Sequence, residues 1–279
     1  MVLMFGKELA EIIKDDLRKE IKIKKIKLFL AVLLIGKNEA SLKYVDIKKK
    51  ECIKIGIGFK LFKLNEKVTQ EKILSLINSL NADKSITGIL VQVPIPAKFD
   101  RDKILQAISP EKDVDGLNAV NQGKLMNNID GLCPATPEGI INLLRYYQVP
   151  LVSKRVIVVG QSNLVGKPLA LMLLREKATV TIANSKTRNL KELTLGSDIV
   201  ISATGHPKLI KKDMLKNDAV VINVGAKLVD GKMIGDVDFE NVSKRTSFIT
   251  PNFGGVGPMT VAMLLSNILK AYKLTNKKE

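Results

Sequence analysis

The chain has 279 residues, 46% of them hydrophobic, which suffices for one large or two ordinary domains and argues against disorder. Its 45 Lys and Arg against 28 Asp and Glu give a net charge of +17, which fits a nucleic-acid binder, a protein with anionic ligands, or a lysine-rich solvated surface. No apolar run approaches the ~20 residues that span a bilayer, and acids interrupt the opening MVLMFGKELAEIIKDD where a signal peptide would be apolar, so a cytoplasmic chain without a membrane partner is expected.

In chain order, GKELAEIIKDDLRKEI places Leu9, Ile12, Ile13 and Leu17 at helical spacing. The basic cluster KIKKIK is interleaved with Ile rather than aromatics, so it offers no platform for stacked bases, and no nucleic-acid partner is expected. KLFLAVLLIG reads as a buried strand ending at Gly36, residues 38–55 as a helix, and GFKLFKL as a second strand. TQEKILSLINSLN reads as a helix capped by Thr69, and ITGILVQVPIP as a third strand stopped by Pro94 and Pro96. A helix over 101–107 follows. These elements predict a parallel sheet covered on both faces. The Asp-, Asn-, Gly- and Pro-rich stretch from Ser109 to Gly139 reads as a long loop, with a helix capped by Thr136 and carrying Pro137 and Glu138 in its first turn. KRVIVVGQSNLVGKPLALMLLREKATVTIANSKT then gives strand, turn, helix and strand. SDIVISATG and DAVVINVG add two strands that run into glycines, completing a doubly wound pattern. FITPNFGGVGPMTVAMLLSNILKAYKL closes with a glycine-rich turn and an apolar helix. The fold class is α/β, in two domains.

Chemistry-bearing side chains are few. Cys52 and Cys133 lack a C-x-x-C partner, and His206 is the only histidine, so no metal site is expected and a Ser-His-Asp triad is disfavoured. Proton transfer then falls to Lys, Tyr or a carboxylate. In SLKYVDIKKKE, Tyr44 and Lys48 stand four apart, a spacing shared with short-chain dehydrogenases but placed here far ahead of the nucleotide signature. On a helix, Ser41, Tyr44 and Lys48 fall within about 60° of arc, bordered by Val45 and Cys52. The plain alternative is a surface pair worth a few tenths of a kcal/mol.

The turn GQSNLVGKP departs from G-x-G-x-x-G, with Ser162 at the second glycine position and the last glycine one residue late. Its physics remains: Gly160 permits a tight turn, Ser162 brings a hydroxyl, and the helix start offers N–H groups to phosphate. The alternative is a purely structural strand–helix turn. Candidate nucleotide contacts are Gly160, Ser162, Val165 and Gly166, then Ser185, and Thr204, Gly205 and Gly225 beyond the later strands. The second strand ends in TIANSKTR with hydroxyls and cations but no carboxylate, which suits a 2′-phosphate and favours NADP over NAD.

Five segments together resemble the methylenetetrahydrofolate dehydrogenase/cyclohydrolase family over essentially the whole chain: SLKYVDIKKKEC, TGILVQVPIP with Gln92, PEKDVDGLNAVNQGKL with Asp113 and Asp115, GQSNLVGKP, and TPNFGGVGPMTVAML. The resemblance implies an N-terminal catalytic domain over 1–136, with 261–279 packing back onto it, a Rossmann-like domain over 137–260, and a cleft between the two. It implies NADP-dependent oxidation of 5,10-methylenetetrahydrofolate to the methenyl form and hydrolysis to 10-formyltetrahydrofolate, in one-carbon metabolism. Tetrahydrofolate derivatives, polyglutamylated forms included, are the implied small-molecule partners, and a homodimer the implied assembly. By motif, Lys48 would be the catalytic acid/base, Tyr44 a platform for the folate rings, Gln92 the partner of Lys48, and Asp115 the anchor of the pterin. Gly254, Gly255 and Gly257 would let backbone approach the ligands, and Pro258 would shape that turn. Gln161 and Asn184 stand where the family often has Arg and His. Two other readings compete: a shikimate-dehydrogenase-like oxidoreductase of two α/β domains, and a non-catalytic basic binding protein.

Overall fold

The computed structural model describes residues 1–230 and 232–276. The chain forms two compact units, one of Met1–Glu11 with Thr136–Thr260, the other of Ile12–Ala135 with the described residues from Val261 onward. Residues 277–279 of the expected returning segment lie outside the described residues. β1 (Val2–Leu3) pairs parallel with a strand distant in sequence, Val2 opposite Phe248 and Leu3 opposite Ile249. A two-residue strand gives no periodicity to read, so only its partner reveals it.

In the unit from Ile12 to Ala135, α1 (Gly6–Ile23) leads into β2 (Phe29–Ile35), α2 (Glu39–Ile55), β3 (Gly58–Leu64), α3 (Gln70–Ala82), β4 (Gly88–Val91) and α4 (Arg101–Gln106). The sheet is parallel in the order β3-β2-β4. Central β2, FLAVLLI, is buried along nearly its whole length, as expected of a strand covered on both faces. The stretch read as a long loop contains a helix, α5 (Ala119–Met126), whose cap Asn118 accepts from Val120 N at 2.9 Å. Asp113 supports it from below: its Oδ2 accepts from Asn118 N at 2.7 Å and from Asn121 Nδ2 at 2.9 Å. That buried carboxylate is structural, which satisfies the turn reading of the DVDG segment.

In the other unit, α6 (Ala135–Tyr146) begins one residue before Thr136, so Thr136 lies in the helix rather than capping it, and its hydroxyl bonds that of Thr260 at 3.0 Å. Then come β5 (Arg155–Val159), α7 (Gly166–Arg175), β6 (Thr179–Ala183), α8 (Leu190–Leu195), β7 (Ile199–Ser202), β8 (Ala219–Asn223), the antiparallel pair β9 (Ala226–Val229) and β10 (Lys232–Gly235), α9 (Phe239–Val242) and β11 (Thr246–Ile249). The six-stranded sheet is parallel throughout in the order β1-β11-β8-β7-β5-β6. Ile157, Val159, Val200, Val221 and Ile249 form one buried cluster with Leu215 and Val237. α10 (Val256–Asn276) ends the described chain, and Asn267 on it donates to Val114 O at 2.9 Å and Cys133 O at 2.7 Å. Among the described residues no helix is long and apolar enough to cross a membrane.

Candidate active site

Asn38 starts α2 by accepting from Ser41 N at 2.9 Å, and Gly56 ends it in the left-handed conformation, φ 88°. Ser41, Val45, Lys48, Cys52 and Ile55 make its buried stripe, so one lysine sits in a row otherwise apolar or small. Lys48 Nζ donates to Gln92 Oε1 at 2.9 Å, and Gln92 Nε2 donates onward to Val93 O at 2.8 Å. Gln92 follows β4 directly, and its own N–H is held by Leu33 O at 2.9 Å, so strand and helix together orient the pair. Ser41 Oγ lies 3.4 Å from the same Val93 carbonyl, in front of the cis Val93–Pro94 bond.

Burial pulls the Lys48 amine below the ordinary lysine range, and the nearby Asp115 and Cys52 restore only part of the loss. Burial likewise pushes the Asp115 carboxyl up, with Lys48 opposing. Cys52, one turn beyond Lys48, has its thiol pushed up to about 12, again chiefly by burial, so it is no nucleophile. Tyr44, one turn before Lys48 on α2, is 47% exposed. Tyr44, Lys48, Gln92 and Asp115 thus all belong to one unit, and an uncharged acceptor holds the lysine while an acid stands near it.

Gly255 and Pro258 belong to the other unit. Gly255 closes the turn before α10, where a Cβ would meet Pro251 O at 2.8 Å, and Pro258 lies in the first turn of α10, where its missing N–H costs nothing.

The nucleotide candidates share that unit. Gly160 ends β5 with φ 119°, and a Cβ on it would meet Ala203 O at 2.5 Å. A Cβ on Gly166 would come within 1.8 Å of Gly160 O. Both residues must therefore be glycine for the turn to be this tight. Ser162 Oγ accepts from Val165 N at 3.2 Å and keeps its own hydrogen to donate. No side chain caps α7 at Val165; Val165 N and Lys167 N are bonded to Ser162 and Pro168 has no N–H, so the Gly166 N–H and the Ser162 hydroxyl are what this turn can offer a phosphate. Beyond β6, Asn184 Nδ2 donates to Gln161 Oε1 at 3.2 Å, and Ser185 and Lys186 follow in the turn closed by Thr187.

Thr204 and Gly225, also expected to contact a nucleotide, stand at strand ends against a buried acid. The Thr204 hydroxyl donates to Asp236 Oδ2 at 2.9 Å, and a Cβ on Gly225 would reach that oxygen at 2.3 Å. Both are shaped around a buried acid that sequence reasoning missed; GDVDF offers nothing to separate Asp236 from a surface acid. Among the described residues no group of three or more His, Cys, Asp and Glu is arranged to hold a metal.

Comparison with known proteins decides the family. Residues 4–115 match the tetrahydrofolate dehydrogenase/cyclohydrolase catalytic domain, and residues 134–276 match the NAD(P)-binding domain of the same family. The chain belongs to the tetrahydrofolate dehydrogenase/cyclohydrolase family. The bifunctional protein FolD of Sulfurihydrogenibium sp. is 50% identical over 98% of this chain and 98% of its own. The crystal structure of the bifunctional FolD methylenetetrahydrofolate dehydrogenase/cyclohydrolase from Campylobacter jejuni is 45% identical, covers 99% of both chains and superposes with a TM-score of 0.95. The Trypanosoma brucei enzyme, solved with NADP and an inhibitor, is 35% identical over 98% of both chains with a TM-score of 0.94. Shikimate dehydrogenase from Aquifex aeolicus reaches a TM-score of only 0.52 at 14% identity, a likeness of fold alone.

Proposed function

We propose that this enzyme oxidises 5,10-methylenetetrahydrofolate to the 5,10-methenyl form with NADP and hydrolyses that product to 10-formyltetrahydrofolate. The observation that carries the reading is the Lys48–Gln92 hydrogen bond in a buried stripe, in a chain with both domains of the family. Bound NADP supplies the hydride acceptor. Gly160, Ser162, Val165, Gly166 and Ser185 are the residues proposed to hold it, with Thr204, Gly205 and Gly225 shaping the neighbouring strand ends. Residues 1–136 with the returning segment 261–279 form the proposed catalytic part, and 137–260 the proposed nucleotide-binding part.

In hydrolysis, water adds through oxygen to the bridging carbon while one of its protons passes to the Lys48 amine. The resulting ammonium protonates the ring nitrogen as its bond to that carbon breaks, and the remaining hydroxyl proton leaves to solvent as the formyl C=O forms. A lysine of ordinary pKa, about 10.4, is already protonated at neutrality and a poor acceptor. The burial that lowers Lys48 is therefore what fits it to the role. Gln92 orients the amine without trapping it as an ammonium. Tyr44 is assigned to stack on the folate rings, Asp115 to bond the pterin, and Gly255 and Pro258 to admit substrate beside the turn. A cytoplasmic homodimer acting on polyglutamylated folates completes the reading; the +17 charge suits two anionic ligands.

The test is an assay of the purified enzyme on methylenetetrahydrofolate with NADP or NAD. Methenyl absorbance is expected to rise faster with NADP and to decay enzymatically. Turnover of shikimate with none of the folate would overturn the reading.

Gln92→Glu tests the electrostatic argument. A carboxylate at this position favours the ammonium and raises the Lys48 pKa, so less neutral amine is present at a given pH. The rise of methenyl hydrolysis with pH is expected to move up by about one to three pH units, the usual effect of a close opposite charge. An unmoved profile would show that this amine does not set the rate.

A further inference from the structure

We propose that Asp236 is a positioning residue for nucleotide binding, fixing the turn after β7 against the ends of β8 and β11; the inference rests on the nucleotide reading of this unit. Asp236 is fully buried beyond β10. One carboxylate oxygen, Oδ2, accepts three hydrogen bonds: from Ser202 Oγ at 3.0 Å, Thr204 N at 2.7 Å and Thr204 Oγ1 at 2.9 Å. The Thr204 hydroxyl also accepts from His206 N at 3.1 Å, so the whole turn from Ser202 to His206 is organised by that one oxygen.

The acid is itself held. Its backbone N–H reaches Asn223 Oδ1 and Gly225 O, each at 3.0 Å. A Cβ on Gly225 would lie 2.3 Å from Oδ2 and 2.6 Å from Oδ1, so glycine there makes room for the carboxylate. Asn223 N donates to Thr250 Oγ1 at 2.7 Å, and Asn223 Nδ2 donates to Asn252 Oδ1 at 2.7 Å. A continuous bonded path thus runs from Thr204 through Asp236 and Asn223 to the turn of Pro251–Gly255. In an open parallel sheet, ligands bind at these carboxyl ends of the strands. Gly205, with φ 71°, leaves nothing within 4 Å of where a Cβ would be, so the turn that Asp236 shapes carries open space beside it.

The second oxygen, Oδ1, is buried without a hydrogen-bond partner. A buried polar atom left unpaired costs stability, and natural folds carry such costs mainly where function asks for them. A charged acceptor holds three donors more firmly than a neutral one does. The cost at Oδ1 buys a rigid Thr204 turn.

Asp236→Asn keeps the shape and one acceptor but removes the charge. NADP affinity, measured by calorimetry, is expected to weaken about tenfold, in line with a weakened buried network. Methenyl hydrolysis assayed without nucleotide at saturating substrate is expected to stay within about twofold of wild type, because the proton-transfer pair Lys48 and Gln92 lies in the other unit. Unchanged NADP affinity would overturn the inference, and so would a parallel fall in affinity and hydrolysis, which marks general loosening. Should Asp236→Asn not fold, Ser202→Ala removes a single donor. About threefold weaker binding by that variant supports the role, and unchanged binding overturns it. Wild type that binds no NADP, yet hydrolyses the methenyl substrate, overturns the nucleotide reading instead.

Discussion

Replacing Lys48 with methionine is expected to slow methenyl hydrolysis about 10²- to 10⁴-fold, the usual worth of a positioned acid–base group. Methionine matches the length of the lysine stem and suits a stripe of Ser41, Val45, Cys52 and Ile55, so the helix has no reason to move. NADP affinity should hold, since the nucleotide candidates lie in the other unit. Full hydrolytic activity in the pure variant would remove Lys48 from the mechanism. Stability supplies a second readout. The folded state lowers the Lys48 pKa, so between that value and the unfolded value the unfolded chain binds more protons, and stability rises with pH. Below the folded pKa the buried ammonium is a constant cost that methionine removes. The variant should therefore melt at or above wild type at neutral pH, and the gap should narrow as pH climbs toward the ordinary lysine range. Asp115 limits the gain, because it loses the partner that favours its charge.

Gly166→Ala is expected to be the most damaging single methyl addition in the nucleotide turn. Its Cβ would sit 1.8 Å from Gly160 O and 2.7 Å from Gly160 C, both backbone atoms with no rotamer to yield. The start of α7 must shift away from the end of β5, which dismantles the phosphate cradle. Overpacking of this kind costs about 1–3 kcal/mol, a fall of roughly 2–4 °C in melting temperature per kcal/mol at this size. NADP binding is expected to weaken by more than about a hundredfold, because the Gly166 N–H and the Ser162 hydroxyl leave their positions. Gly123→Ala is the matched control: it lies in α5 with nothing within 4 Å of an added Cβ, and should be neutral or slightly stabilising. If Gly166→Ala binds NADP as wild type does, the turn is structural only.

What the sequence makes legible is the periodic part. The buried run of β2, the helix carrying Tyr44 and Lys48, and the strand–turn–helix at Gly160 all announce themselves by spacing and composition. Lys48 and Cys52 fall on the buried stripe that the helical arc places near the apolar face. The pairing of Lys48 with Gln92 is another matter. It joins a helix to the end of a strand 44 residues away, and no local pattern encodes that distance; motif resemblance supplied the expectation. α5 hides in a polar stretch because its support is a buried aspartate and a capping asparagine rather than an apolar face. Thr204 and Gly225 accommodate Asp236, a partnership that no local pattern shows. Local signals report periodicity and turns; long-range polar partnerships are written in no single stretch.

The interleaving of the two units bears on how the chain is made. β1 is made long before β11, the strand it pairs with, Val2 lying opposite Phe248. The unit carrying Lys48 in turn waits for the residues of α10, whose Asn267 holds the Val114 and Cys133 carbonyls. Each unit therefore waits on a segment distant in sequence, which lengthens the exposure of its apolar sheet face during synthesis, a hazard for aggregation. A chain halted before residue 246 would lack both the partner of β1 and the whole of α10, so each unit would miss a segment at once.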